Sequence, residues 1–221
     1  MIYRLPKTFF MTAVNPEAFA FFRQQMESFV TFTDPEWALF SQQLYRRDLH
    51  KRGTLVASGQ VCNEICFILS GSCRFFFQKD GTEISNYFCF QGELVSSYPS
   101  FLKRAPSFPS IQAMEDTVLL CFSHAGLQQL LQNPLVAPRM ERFGRMVAEY
   151  LICCYEERMV SFMTRNPEER YRQLLEKQPD LLQRIPQHYV ANYLGITPVS
   201  LSRIRKRLAT AAAPRTRTLV A

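Results

Sequence analysis

No apolar run in this chain approaches the ~20 residues that a membrane-spanning helix requires; the longest, such as Ile65 to Leu69 and Val118 to Phe122, stop far short. Near the N-terminus Arg4 and Lys7 are followed only by Phe9 to Val14, a stretch broken by Thr12, so no secretory leader is expected. A cytoplasmic protein with no membrane partner follows. Glycine is scarce too, 8 residues against 13 prolines, and no tract is biased in composition. Collagen-like and disordered chains are thereby excluded. What remains is a 221-residue chain that is 47% hydrophobic and 20% charged, enough for one or two domains that each bury a core.

Histidine is rarer still, at His50, His124 and His188. A cupin-type metalloenzyme needs two His one residue apart plus a further His and a Glu from neighbouring strands, and the chain has no such set. Seven cysteines is an odd number, and the adjacent Cys153 and Cys154 form a pair that rarely closes on itself. Reduced thiols in a reducing compartment are the expectation. Cys62, Cys66, Cys73 and Cys89 lie at uneven spacings and read as small buried hydrophobes rather than metal ligands. No nucleophile-base pairing or phosphate-cradling glycine loop stands out, so neither a catalytic residue, a metal nor a cofactor is assigned.

The last absence is the most informative. Residues 181–221 contain no acidic residue, yet they carry Arg184, Arg203, Arg205, Lys206, Arg207, Arg215 and Arg217. The preceding 180 residues balance at 19 positive and 19 negative, so the whole net charge of +7 sits at the C-terminal end. Such asymmetry points to a polyanion partner for that segment.

Along the chain, Asn15-Pro16-Glu17 and Asp34-Pro35-Glu36 each place a capping side chain before a proline and an acid, predicting two short helices. From about Leu49 to Phe122 short β-branched and aromatic runs alternate with Gly53, Gly59, Gly71, Asp80-Gly81 and Gly92, the pattern of an antiparallel barrel or roll. Asp80-Gly81 is the expected hairpin turn between Cys73 to Phe77 and Ile84 to Phe88. After Asn133-Pro134, Val136, Met140, Phe143, Val147, Tyr150 and Cys154 follow at steps of 4, 3, 4, 3 and 4, a heptad stripe on a long helix. The stripe is read as the seam of a homodimer, with packing on the chain's own β domain as the alternative. Asn166-Pro167-Glu168-Glu169 opens a fresh helix. The expected domains are 1–134, a β-roll with flanking helices; 135–165, the dimerisation helix and hinge; and 166–221, a C-terminal helical domain.

Ile185 to Leu208 is the most specific stretch. With Gln187 as the first position of a helix-turn-helix, Ala191 falls at the fifth, Gly195 at the ninth, Leu201 at the fifteenth and Ile204 at the eighteenth. Alanine lets the two helices approach, glycine supplies the left-handed turn, and the two aliphatics bury the inner face of the second helix. Thr197-Pro198 supplies its cap and first residue. The outer face then shows Val199, Ser200, Ser202, Arg203, Lys206 and Arg207, with no acid to repel phosphate. Double-stranded DNA is the partner this pattern predicts.

From residue 17 to about 208 the chain resembles the Crp/Fnr family of bacterial transcription regulators. In the β region the resemblance rests on Gly53, Gly59, Gly71 and Gly92-Glu93-Leu94, and in the C-terminal region on Ile185 to Leu208. It implies an α+β fold: an N-terminal antiparallel cyclic-nucleotide-binding-like β-roll with flanking helices, a long dimerisation helix and a C-terminal helix-turn-helix, winged-helix-like. It also implies a homodimer on a palindromic operator, contact with RNA polymerase, and a small-molecule effector. Glu93 would correspond to the acid that holds a ribose hydroxyl, and Arg203 to the base-reading arginine. Gln187, Ser200, Arg205, Lys206 and Arg207 would grip phosphates, and Val199 would touch a thymine methyl.

The departures from the family bear on the effector. Its cyclic-nucleotide binders carry an arginine for the cyclic phosphate about ten positions after the acid. Counting forward from Glu93 gives Lys103, and counting back from the strand Ile111 to Ala113 gives Ser107. Arg104 is the nearest substitute in a loop altered by Pro99, Pro106 and Pro109. The effector pocket is therefore assigned to Glu93, Arg104 and Ser107, with an unknown effector other than cyclic AMP. The wing is expected to be reduced to Ala209 to Ala221. An iron-sulfur sensor of the family would need cysteines near the N-terminus, and none precedes Cys62. The competing class is a β-roll sensor or interaction module that binds no DNA; a cupin-type enzyme ranks behind it.

Overall fold

The computed structural model describes residues 16–177 and 179–212. They form two compact units: one runs to Phe77 and resumes over Phe88–Leu151, the other joins Gln78–Tyr87 to the chain from Ile152 onward.

The first unit opens with α1 (Pro16–Glu27) and α2 (Asp34–Ser41). The cap of α2 is Thr33, whose backbone N–H donates to Glu36 Oε2 at 2.7 Å; the expected cap Asp34 sits one residue inside. Asn15, the expected cap of α1, lies outside the described residues. Eight strands follow: β1 (Leu44–Leu49), β2 (Thr54–Val56), β3 (Glu64–Ser70), β4 (Ser72–Lys79), β5 (Thr82–Phe90), β6 (Leu94–Val95), β7 (Ser110–Ala113) and β8 (Thr117–Ser123). They make two four-stranded sheets, ordered β1-β8-β3-β6 and β2-β7-β4-β5. The β-roll is an α+β fold with the antiparallel pairing that the sequence predicts.

Asp80 (φ 51°) and Gly81 (φ 75°) form the two-residue turn between β4 and β5. Positive φ at both centres matches the twist of the strands they join. The central strands β3 and β8 are buried along nearly their whole length, which is why they read as apolar runs rather than as an alternation. Many of the chain's 19 phenylalanines are spent here: Phe22 of α1 lies 5.1 Å from Phe67 of β3, and Phe40 of α2 lies 5.7 Å from Phe122 of β8. Such large apolar rings, tilted against one another, supply most of the burial under the two helices.

Between β6 and β7 sits α3 (Tyr98–Lys103), and after β8 comes α4 (His124–Gln132). The long helix α5 runs from Ala137 to Thr164, three residues later than Asn133-Pro134 predicts, because Asn133 instead closes α4. Its first half completes this unit: Met140, Phe143 and Val147 are all buried in it, Phe143 edge-on to Phe29 at 5.9 Å, and Arg139 bonds Glu36 at 3.0 Å. This corrects the seam expectation. The side chains of Met140, Phe143 and Val147 are covered by their own chain and are not available to a second copy. Cys154 is half-buried, and Tyr150, though exposed, packs edge-on to Phe29.

A second correction concerns the thiols. Cys66 of β3 and Cys121 of β8 stand opposite each other in the antiparallel ladder and are disulfide-bonded. Their separation of 55 residues hid the pairing from the sequence.

The second unit contains the rest of α5, α6 (Pro167–Lys177), α7 (Pro179–Arg184), α8 (Gln187–Tyr193) and α9 (Pro198–Ala212). Asn166 and Glu169 cap the start of α6 reciprocally. Tyr171, Leu174, Ile185, Leu194 and Leu201 are among its buried side chains.

Candidate nucleic-acid interface

The geometry of α8 and α9 follows from a few residues. Ala191 is fully buried in α8, so nothing larger stands between the two helices. Gly195 turns the chain at φ +70°, and a Cβ there would come within 3.1 Å of the Phe162 ring, so both the dihedral and the packing require glycine. Arg158 stacks on Tyr193 at 3.9 Å and donates to its carbonyl at 3.1 Å, while Arg170 donates to Leu194 O at 2.9 Å. These bonds satisfy carbonyls at the end of α8 that the helix itself leaves open. On the hairpin tip that belongs to this unit, Glu83 O accepts from Asn192 Nδ2 at 2.9 Å.

Thr197 caps α9, its hydroxyl accepting from Ser200 N at 3.1 Å. Leu201 and Ile204 are buried on the side where α9 packs on α8, which fixes the rotation of the helix. The opposite side is then presented to solvent: Val199 is 60% exposed, and Ser202, Arg203 and Lys206 are exposed. Gln187, at the first position of α8, and Arg205 are exposed as well. Ser200 is half-buried, and its hydroxyl lies 3.0 Å from that of Thr197, a capping contact.

Arg207, expected to grip phosphate, is exposed and also forms an ion pair within its own unit. Its Nε and Nη2 both donate to Glu168 Oε2, at 3.1 and 2.8 Å, tying α9 to the first turn of α6. Hydrogen bonds from Arg207 and then Arg172 hold the Glu168 carboxyl below the ordinary glutamate range. The basic tail splits at Ala212: Ala209–Ala212 continue α9, while Arg215 and Arg217 lie outside the described residues.

The three residues assigned to the effector pocket are each held by other partners. Glu93 lies in the turn between β5 and β6, where its Oε2 accepts from Phe90 N at 2.9 Å; burial, partly offset by that bond, raises its pKa. Arg104 ends α3 in a left-handed conformation and donates to Cys62 O at 2.8 Å, with a further bond to Asn63. Its guanidinium is therefore spent on main chain and amide, not turned toward Ser107. Ser107 is buried; its hydroxyl donates to Pro109 O at 2.6 Å and lies 2.8 Å from Ser97 Oγ. Ser97, ten residues before Ser107, was missed by the sequence reading because the count started from Glu93.

Also missed was the exposed apolar face of α5. Ile152, Tyr155, Met159 and Met163 are 64%, 58%, 58% and 78% exposed and recur at steps of 3, 4 and 4. One helix carries two apolar stripes, and the stripe that stays uncovered lies on the second-unit half.

Residues 46–134 match the family model of the cyclic nucleotide-binding domain. No curated protein matches the chain by sequence. Among solved structures it is similar to the c-di-GMP-responsive global regulator CLP of Xanthomonas campestris, at 20% identity over 81% of this chain and 93% of that one, with a TM-score of 0.63. FixK2 of Bradyrhizobium japonicum aligns at 18% identity over 76% and 85%, TM-score 0.62. A Crp/Fnr-family regulator from Eubacterium rectale aligns at 18% over 81% and 85%, TM-score 0.59. At these identities the likeness is one of fold: a cyclic-nucleotide-binding-like β-roll followed by C-terminal helices, as in Crp/Fnr regulators. Among the described residues no helix is long and apolar enough to cross a membrane.

Proposed function

We propose that the protein is a sequence-specific DNA-binding transcription regulator that acts as a homodimer and responds to an effector other than cyclic AMP. The carrying observation is the outer face of α9. A helix held by Leu201 and Ile204 presents Val199, Ser202, Arg203 and Lys206 to solvent with no acidic side chain among them. Arg203 reaches a guanine edge, Lys206 and Arg205 meet phosphates, and Gln187 touches the backbone beside the groove. The fold shared with CLP and FixK2 supports the same reading.

The homodimer in this reading forms through Ile152, Tyr155, Met159 and Met163, whose exposed apolar stripe a second α5 covers. A two-fold dimer sets two copies of α9 about 34 Å apart, one turn of DNA. Residues 166–221 serve as the DNA-binding domain and residues 1–134 as the effector domain. Ser97 and Ser107, bonded to one another, offer a phosphate no cation, which disfavours cyclic nucleotides.

The test is to incubate the purified protein with sheared genomic DNA from its own organism and sequence what it retains. A shared inverted repeat supports the proposal; fragments without a common sequence contradict it.

A further inference from the structure

The first unit has an open-mouthed cavity of about 250 Å³ between α3, α4, the first half of α5 and the strands β3 and β8. Its wall is apolar: Phe101, Phe122, Leu127, Leu131 and Val147 are typical of it. Native interiors leave few voids larger than a water molecule, and an engineered apolar cavity of 150 Å³ already takes up benzene. An apolar space of this size has room for a small occupant.

Gly144 strengthens the point. It sits inside α5, where glycine is the least favourable residue after proline, and it lines the cavity. A Cβ placed on it would meet nothing within 4 Å. The chain's own packing thus gives no reason for glycine here, whereas an occupant lying against the helix does. Across the cavity the Tyr98 hydroxyl donates to Gly144 O at 3.3 Å, leaving its oxygen free in direction to accept one bond. Leu102 and Glu141 also line the space and are both solvent-exposed, so they mark its mouth.

We propose that this cavity is a binding site for a neutral, compact aromatic or alicyclic molecule of up to two fused rings, bearing one hydroxyl or N–H that meets Tyr98. The carboxylate of Glu141 at the mouth selects against anions of the same shape. The site is separate from Glu93, Arg104 and Ser107, none of which lines it. An occupant would lie against the part of α5 that holds Met140, Phe143 and Val147. The proposal stands on the cavity alone and does not depend on DNA binding.

The experiment uses the full-length protein with 2-naphthol, naphthalene and 2-naphthoate as probes, followed by saturation-transfer NMR and thermal melting. Expected are binding of 2-naphthol at or below millimolar concentration and at least tenfold weaker binding of 2-naphthoate. Gly144→Leu should fill the space and abolish binding with circular dichroism unchanged. Tyr98→Phe, which keeps the ring, should weaken 2-naphthol several-fold and leave naphthalene unaffected, and it decides the matter if Gly144→Leu does not fold. The proposal is overturned if 2-naphthol fails to bind the wild type, if folded Gly144→Leu binds it equally, if 2-naphthoate binds as well, or if Tyr98→Phe changes neither probe.

Discussion

The Ser107 and Ser97 hydroxyls are hydrogen-bonded at 2.8 Å, both side chains buried at the two ends of the segment that contains α3. This hydroxyl pair, completed by the Pro109 carbonyl, carries no charge. The first prediction is that cyclic AMP and cyclic GMP leave the melting midpoint unchanged at millimolar concentration. A specific micromolar ligand would add about 4 kcal/mol at a thousandfold excess over its Kd. A ligand-dependent rise in differential scanning fluorimetry that Ser107→Ala removes would contradict the assignment.

The two stripes of α5 separate by mutation. Phe143→Asp puts a charge into the packed interior beside Phe29 and should destabilise the first unit by about 3–5 kcal/mol. Met159→Glu alters an exposed side chain and should leave the stability of the fold within roughly 0.5 kcal/mol, while sedimentation shows the dimer dissociating. A wild type that sediments as a 25.7 kDa monomer at tens of micromolar would remove the dimer from the account.

Thiol chemistry gives a third expectation. Cys153 is exposed, whereas burial pushes the Cys73 thiol up to about 12 and the Cys89 thiol well above its ordinary value. Since the thiolate is the nucleophile, iodoacetamide should label Cys153 first in the native protein and spare Cys73 and Cys89 until it unfolds. Cys66 and Cys121 should label only after unfolding and reduction together. Early labelling of Cys73, seen by peptide mass spectrometry, would mean that β4 is not packed as described.

Glu93 sets a pH dependence. Its folded pKa is raised by burial, so ionisation opposes folding. The favourable contribution is complete below the unfolded value of about 4.3 and is lost as pH rises through the folded value. Glu93→Gln retains an acceptor for Phe90 N and removes the charge. It should melt higher than wild type at pH 7, with the difference closing by pH 4. Equal midpoints at both pH values would show that burial does not govern this carboxyl.

How far the sequence could be read depends on the range of each signal. The turn of the helix-turn-helix was legible because Ala191, Gly195 and Thr197 act on immediate neighbours, and the Asp80-Gly81 hairpin for the same reason. α4 escaped notice because its cap, Ser123 accepting from Gly126 N, also closes a strand and no proline marks it. Met140, Phe143 and Val147 read as a seam because heptad spacing reports that a stripe is covered, not by what. The covered and the open stripes of α5 lie more than a third of a turn apart on one helix. Long-range pairings such as Cys66 with Cys121, or Arg207 with Glu168, depend on tertiary register, which local spacing does not encode.

DNA recognition by the outer face of α9 is the central claim, and paired substitutions there test it most directly. Binding of wild type, Arg203→Ala and Lys206→Ala to the selected operator and to a scrambled duplex should be measured across a salt series. Loss of Arg203 should cost about 1–3 kcal/mol per half-site on the operator and little on the scrambled duplex. Loss of Lys206 should weaken both duplexes alike and lower the salt slope by about 1. If Arg203→Ala weakened both duplexes equally, or if neither substitution changed binding, α9 would not be the element that reads DNA.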